Sequence, residues 1–251
     1  MPSWNIHTAH AEKLLREEGP ATLGVTDVNA FMFGNYVPDI YVGYLVKPTT
    51  KTIEYKDTHL ARKAYIPLPR HDIFWRRYIE GRDNVSDVTL GAWTHLVCDH
   101  VYNKHTRAFI KKVHVRPGEQ TRVDKQGDFA AFGHTLAIST HVAVDDALLA
   151  QCAAFPQYDI PEADVRETVR AACAFVDDNQ EHFLPELPKL ALLTPEFFAD
   201  AFAEAHAICV EGLRSRVTPP AAPKPPVQPF ADFSPTHGMP SCCAAPGVQT
   251  C

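Results

Sequence analysis

Trp93-Thr-His-Leu-Val-Cys-Asp-His-Val-Tyr-Asn-Lys-His105 is the stretch whose reading decides the fold. Together with the residues just before it, it places Val88, Ala92, Trp93, Leu96 and Val97 at spacings of three and four, the period of a helix with one apolar face. Ser86 or Asn84 is in position to cap that helix. His95 and Asp99 are four residues apart, so one helical turn sends both side chains off the same face. An imidazole and a carboxylate on one face make half of a site for a hard-to-borderline metal, and His105 lies one loop or bend further on as a third ligand.

The same period continues outward in both directions. Thr8–Glu18 reads as a helix stopped by Gly19-Pro20, with His7 at the head of its inward stripe. Val28–Tyr44 is apolar almost all round, as a central buried helix should be, and Pro38 kinks it so that Asp39 is aimed from a turn. A polar loop over Lys47–Lys56 delivers Asp57-Thr58-His59, and Asp72–Glu80 makes a short amphipathic helix. Further helices are expected over Asp124–Gly133, over Leu136–Cys152 with His141 and Asp145, after Pro161, and from Thr194-Pro195-Glu196 onward. No strand pattern and no internal repeat emerges, so the expected class is all-α, with eight or nine helices in a domain spanning residues 1–217. From Thr218 the helical period stops; nine of residues 219–251 are proline, and 218–251 is expected to be a disordered Pro-rich tail able to recruit a protein partner.

Composition narrows the function. The formal net charge of -6 provides no global basic field for capturing nucleic acid, so a polyanion would have to be held locally, for example by metal. The amino terminus lacks a basic leader or apolar run, and no stretch reaches the roughly 20 apolar residues of a membrane span. The seven cysteines are scattered singly or crowded into the tail, without a disulfide framework or a Cys-x-x-Cys site, which points to a reduced, cytoplasmic setting. Trp93, Phe31, Phe33 and Cys98 read as core packing, and Lys111-Lys112 as a solvated face.

His95-x-x-x-Asp99 and His141-x-x-x-Asp145 are two separate one-turn His/carboxylate pairs. A rigid helix presenting two ligands at once suits zinc, because positions remain open for water and substrate. His59, Asp39 and His7 add to them in apolar surroundings, with His10 competing with His7 and His134 with His141.

In order and spacing this series resembles the bacterial zinc-dependent phospholipase C family, whose fold is shared with single-strand-specific zinc nucleases. The residues that carry the resemblance are a histidine near the amino terminus, Gly34-Asn35-Tyr36-Val37-Pro38-Asp39, His59, His95-x-x-x-Asp99 with His105, and His141-x-x-x-Asp145. It covers residues 4–150 and implies two or three zinc ions: Asp39, His59 and His95 on one, Asp99 bridging to a second, and His105, His141 and Asp145 on another. It also implies hydrolysis of a phosphoester, phospholipid among the candidates, by in-line attack of a zinc-bound hydroxide; apart from the resemblance, Asp57 and Asp146 are non-liganding carboxylates available as a base, and the sequence does not choose between them. Family members use a terminal tryptophan as a ligand, whereas Trp4 here is preceded by three residues. Competing expectations are a nuclease or nucleotide phosphodiesterase on the same cluster, without a stable nucleic-acid complex, and a metal-binding scaffold that does not turn over.

Overall fold

The computed structural model describes residues 2–217, and among these every regular element is helical. In chain order they are α1 (Trp4–Glu18), α2 (Pro20–Leu23), α3 (Val28–Gly34), a 3-10 turn (Val37–Asp39), α4 (Tyr55–Thr58), α5 (His71–Tyr78), α6 (Asp87–Lys112), α7 (Glu119–His134), α8 (Asp146–Ala153), α9 (Glu162–Glu181) and α10 (Pro195–Val217). The expected tail, 218–251, lies outside the described residues. Among the described residues no helix is long and apolar enough to cross a membrane.

Side-chain caps set several starts. Ser86 accepts from the Thr89 N–H to open α6, Asp27 from Ala30 to open α3, Asp145 from Leu148 to open α8, and Thr194 from Phe197 to open α10, each satisfying a donor that the first turn leaves orphaned. The central element is α6, buried almost continuously from Asp87 to Asn103 and packed mainly against α3 and α10. Its crossing with α3 is backbone on backbone. A Cβ built on Gly91 would lie 2.1 Å from the Phe31 carbonyl oxygen, and one on Gly34 2.3 Å from that of Val88, so only glycine fits on either side. The α10 face packs through Phe198, Ala201, Ala205, Cys209 and Leu213, and Gly212 leaves room for the Trp93 ring. Trp93, Phe31, Phe33 and Cys98 are all buried.

Three buried aspartates tie loops to helices. Asp87 accepts from the Thr26 and Asp27 N–H groups and the Thr26 hydroxyl. Asp128 accepts from the N–H groups of Ala191, Leu192 and Leu193 at 2.7, 2.8 and 2.7 Å. Asp164 accepts from the Tyr41 and Thr50 hydroxyls and the Thr50 N–H.

Four expected boundaries are corrected. Helix α1 begins at Trp4 rather than Thr8, because Trp4 and Ile6 are themselves buried. Val28–Tyr44 is not one kinked helix: α3 stops at Gly34 and the chain re-enters as the 3-10 turn, which does present Asp39. Helix α6 continues unbroken to Lys112, so no loop or bend precedes His105. Residues 136–145 are not helical, because their backbone groups are satisfied from outside: Glu12 accepts from the Ser139 and Thr140 N–H groups, and Asn179 and Gln180 donate to the Leu136 and Ile138 carbonyls. The helix there is only Asp146–Ala153.

Candidate metal centre

Four elements converge on one buried point. The inward face of α1 delivers His7, the 3-10 turn Asp39, the C-terminal end of α4 His59, and one turn of α6 His95 and Asp99. All five are between 0% and 4% exposed. Two overlapping groups, His7/His95/Asp99 and Asp39/His59/His95, each have ligand atoms within 4.8 Å of one another.

The spacings have the dimensions of a coordination shell. His59 Nε2 is 3.2 Å from His95 Nε2, 3.4 Å from Asp99 Oδ2 and 3.6 Å from Asp39 Oδ1. His95 Nε2 is 3.8 Å from Asp99 Oδ2 and 3.9 Å from Asp39 Oδ2. Four ligands about 2.0–2.2 Å from a zinc ion stand roughly 3.3–3.6 Å apart along the tetrahedron's edges, and the observed values bracket that range. Asp99 divides its carboxylate, with Oδ2 toward His59 and His95 and Oδ1 3.4 Å from His7 Nε2.

Proton placement explains why a cation fits. A carbonyl only accepts, so the 2.8 Å contact of His95 Nδ1 with the Asn35 carbonyl puts the ring hydrogen on Nδ1 and leaves Nε2 bare in the neutral ring. Burial first, then the neighbouring His7, holds His95 well below the ordinary histidine range, so it is neutral. The Thr58 hydroxyl donates to the Tyr55 carbonyl and accepts from His59 Nδ1 at 2.7 Å, which leaves His59 Nε2 bare as well. Two bare nitrogens 3.2 Å apart, ringed by carboxylate oxygens, repel unless a cation stands among them. Both ring nitrogens of His7, Asp39 Oδ1 and Asp99 Oδ1 are buried without a hydrogen-bond partner, a condition that native interiors seldom tolerate without an ion or water.

The surrounding residues orient the ligands. Trp4 donates its indole N–H to Asp39 Oδ2 at 3.1 Å, and Tyr55 donates its hydroxyl to Asp99 Oδ2 at 2.8 Å while stacking on His59 at 3.7 Å. Burial and then Asp99 keep the Tyr55 phenol well above its ordinary range, so it remains a donor. Burial by itself would raise Asp99, but the His59, His7 and His95 rings, whenever they carry protons, outweigh it and hold the carboxyl well below the usual range. Asp39 moves the other way: burial pushes it up, His59 opposes, and the negative Asp99 adds to the rise.

The remaining expected site residues lie elsewhere. His105, ten residues past His95 on the same straight helix, is roughly 15 Å further along and on a different face; its Nε2 is 2.7 Å from Glu204. His141 is exposed in the non-helical segment, 2.8 Å from Asp177, and Asp145 is occupied capping α8. They therefore do not form a shared metal site, and the one-turn relation between His141 and Asp145 disappears with the helix that would have created it. Asp57 is exposed on α4, where its backbone carbonyl rather than its carboxylate is used, accepting from Gln157; Asp146 is exposed too. Of the alternatives, His10 stacks on Phe202 at 3.8 Å and bonds Tyr102, and His134 faces Asp178, so His7 alone joins the cluster.

Tyr55 is not among the residues expected at the site, and Trp4 and Asn35 serve it in roles not expected of them, as donor to Asp39 and acceptor from His95. Tyr55 had a usable signal, since it precedes His59 by four residues, one turn of the short helix α4. Nothing matches this chain among family models, curated proteins or solved structures.

Proposed function

We propose that this chain is a metal-dependent phosphoester hydrolase resembling zinc-dependent phospholipase C, with zinc held by Asp39, His59 and His95 and Asp99 linking it to a second position at His7. The observation that carries the proposal is the divided Asp99 carboxylate, one oxygen toward His59 and His95 and the other toward His7, at the centre of buried, unpartnered ligand atoms. Zinc in such a setting acidifies a water and neutralises charge on a phosphoryl group. The chain's own residues do the orienting: the Asn35 carbonyl fixes the His95 tautomer, Thr58 that of His59, and Trp4 and Tyr55 hold the two carboxylates. A cleft of about 450 Å³, lined by Trp4, Asp39, Tyr44, Arg122, Gln126 and Phe175 among others, opens the Asp39 side of the centre to substrate.

A metal site without turnover is the competing reading, favoured by the dispersal of His105, His141 and Asp145. Elemental analysis of protein purified without added metal is the test: at least one zinc per chain is expected, lost in His95→Ala. Less than one, unchanged in that variant, refutes the metal centre. With metal bound, hydrolysis of a generic phosphodiester separates turnover from a static site, and its absence across diester, phospholipid and single-stranded nucleic-acid substrates favours the binding protein.

A further inference from the structure

Two segments that the fold clamps together gather cations and exclude acids. Residues 58–71 and 100–118 contain eight of the 24 lysines and arginines and no aspartate or glutamate, in a chain of net charge -6. Arg107 Nε and the Asn103 amide donate to the Ile66 and Pro67 carbonyls at 2.8 and 2.9 Å, and the Tyr65 hydroxyl donates to the Gly118 carbonyl at 2.7 Å. Asp72 answers Arg70 and Glu204 answers Lys104. Arg62, Lys63, Arg107, Lys111, Lys112 and Arg116 are exposed and pair with no carboxylate among the described residues. Lys111 and Lys112 close α6, where cations offset the helix dipole, but Arg62, Lys63 and Arg116 lie outside helices and have no such duty.

Three clefts join along this face. Tyr55, Arg62 and Lys63 help to line the first, Arg62 and Arg107 the second, and Arg107 and Lys111 the third, so shared residues make them continuous. The third, about 400 Å³, has an apolar lining that includes Ile66, Ile110 and Val115. Tyr65 on its wall and Val113 just past Lys112 are 51% and 41% exposed. The first reaches Tyr55, whose hydroxyl holds Asp99 at 2.8 Å, so the basic face begins one side chain away from the candidate metal centre.

We infer that this face docks on an anionic phospholipid bilayer, with the lysines and arginines on the headgroups and Tyr65 and Val113 entering the interface. Charge complementarity makes the occupant an anion. The aliphatic lining selects lipid over nucleic acid, whose bases stack on aromatic faces. Docking stands without the metal; that it presents a phosphoester to the Tyr55 side of the centre rests on the hydrolase reading.

Flotation of the full chain with vesicles tests this, using phosphatidylcholine alone and phosphatidylcholine mixed in equal parts with phosphatidylserine. Binding is expected to the mixed vesicles only and should weaken with added salt. Lys63→Gln with Lys111→Gln, from the first and third clefts, should weaken it by about thirtyfold, and Val113→Ser by a smaller factor. Arg166→Gln with Arg170→Gln, which makes the same change in net charge on α9, should leave it unaltered. Circular dichroism and zinc content should match the wild type in all of these. Wild-type affinity in the Lys63 and Lys111 double variant, equal binding to both vesicles, or no binding overturns the inference, as does a single-stranded oligonucleotide held by these residues in place of vesicles. A chain that binds vesicles but takes up no zinc loses the metal centre and keeps this surface, whereas zinc uptake without vesicle binding does the reverse.

Discussion

Asp99 is the residue on which the centre turns, because its two oxygens serve different neighbours and a third contact, from Tyr55, holds it in place. Asp99→Asn should therefore empty the site of zinc and reduce hydrolysis below detection, measured by elemental analysis and a diester assay on the same preparation. Tyr55→Phe is the finer probe: the ring still stacks on His59 but no longer donates to Asp99. Loss of such an outer partner costs roughly 10–100-fold in metal affinity, so a competition titration with a chelator should show a weaker site in an unchanged fold. The sequence made Asp39, His59, His95 and Asp99 legible through order and spacing, and His7 through its place at the head of a stripe. It could not reveal that Tyr55 and Trp4 complete the arrangement, because their hydroxyl and indole N–H reach across 44 and 35 residues of chain.

Among the elements, the crossing of α3 and α6 positions the site, since it brings the Asn35 carbonyl to His95. A methyl group at Gly91 would meet the Phe31 oxygen at 2.1 Å, and the helices would have to part. Gly91→Ala should destabilise the chain by at least about 2 kcal/mol by denaturant unfolding, and weaken zinc binding along with it. Gly91 carried no visible signal in the sequence and Gly34 stood out only as part of the segment leading to Asp39, because a glycine within a helical period looks the same whether or not another backbone lies against it. The same ambiguity explains His105 and His141. Whether a histidine faces its expected partner depends on where a helix starts and stops, and α6 runs on where a break was expected while 136–145 is held open by Glu12, Asn179 and Gln180.

For the whole molecule, the helical class and the late helices α9 and α10 were legible from period and breaker residues, but the anchoring of loops by buried carboxylates was not. Asp128→Ala should leave three N–H groups in the loop before α10 without an acceptor and cost about 3 kcal/mol or more, seen as a lower denaturation midpoint. Stability should also depend on His71, which burial and the adjacent His100 ring pull from 6.5 to about 4. Its folded-state value is depressed, so the unfolded chain takes the proton first; stability is whole above about pH 6.5 and declines as pH falls toward 4. His71→Gln should flatten that part of the pH–stability profile, followed by thermal melts in the presence of chelator. Finally, the burial of all five clustered His and Asp side chains below 5% exposure would govern time as well as affinity. An ion in this centre would exchange only as fast as the chain opens or as the passage at Asp39 permits, so the metal present while the chain folds, rather than the one later most abundant, would decide which ion the protein carries.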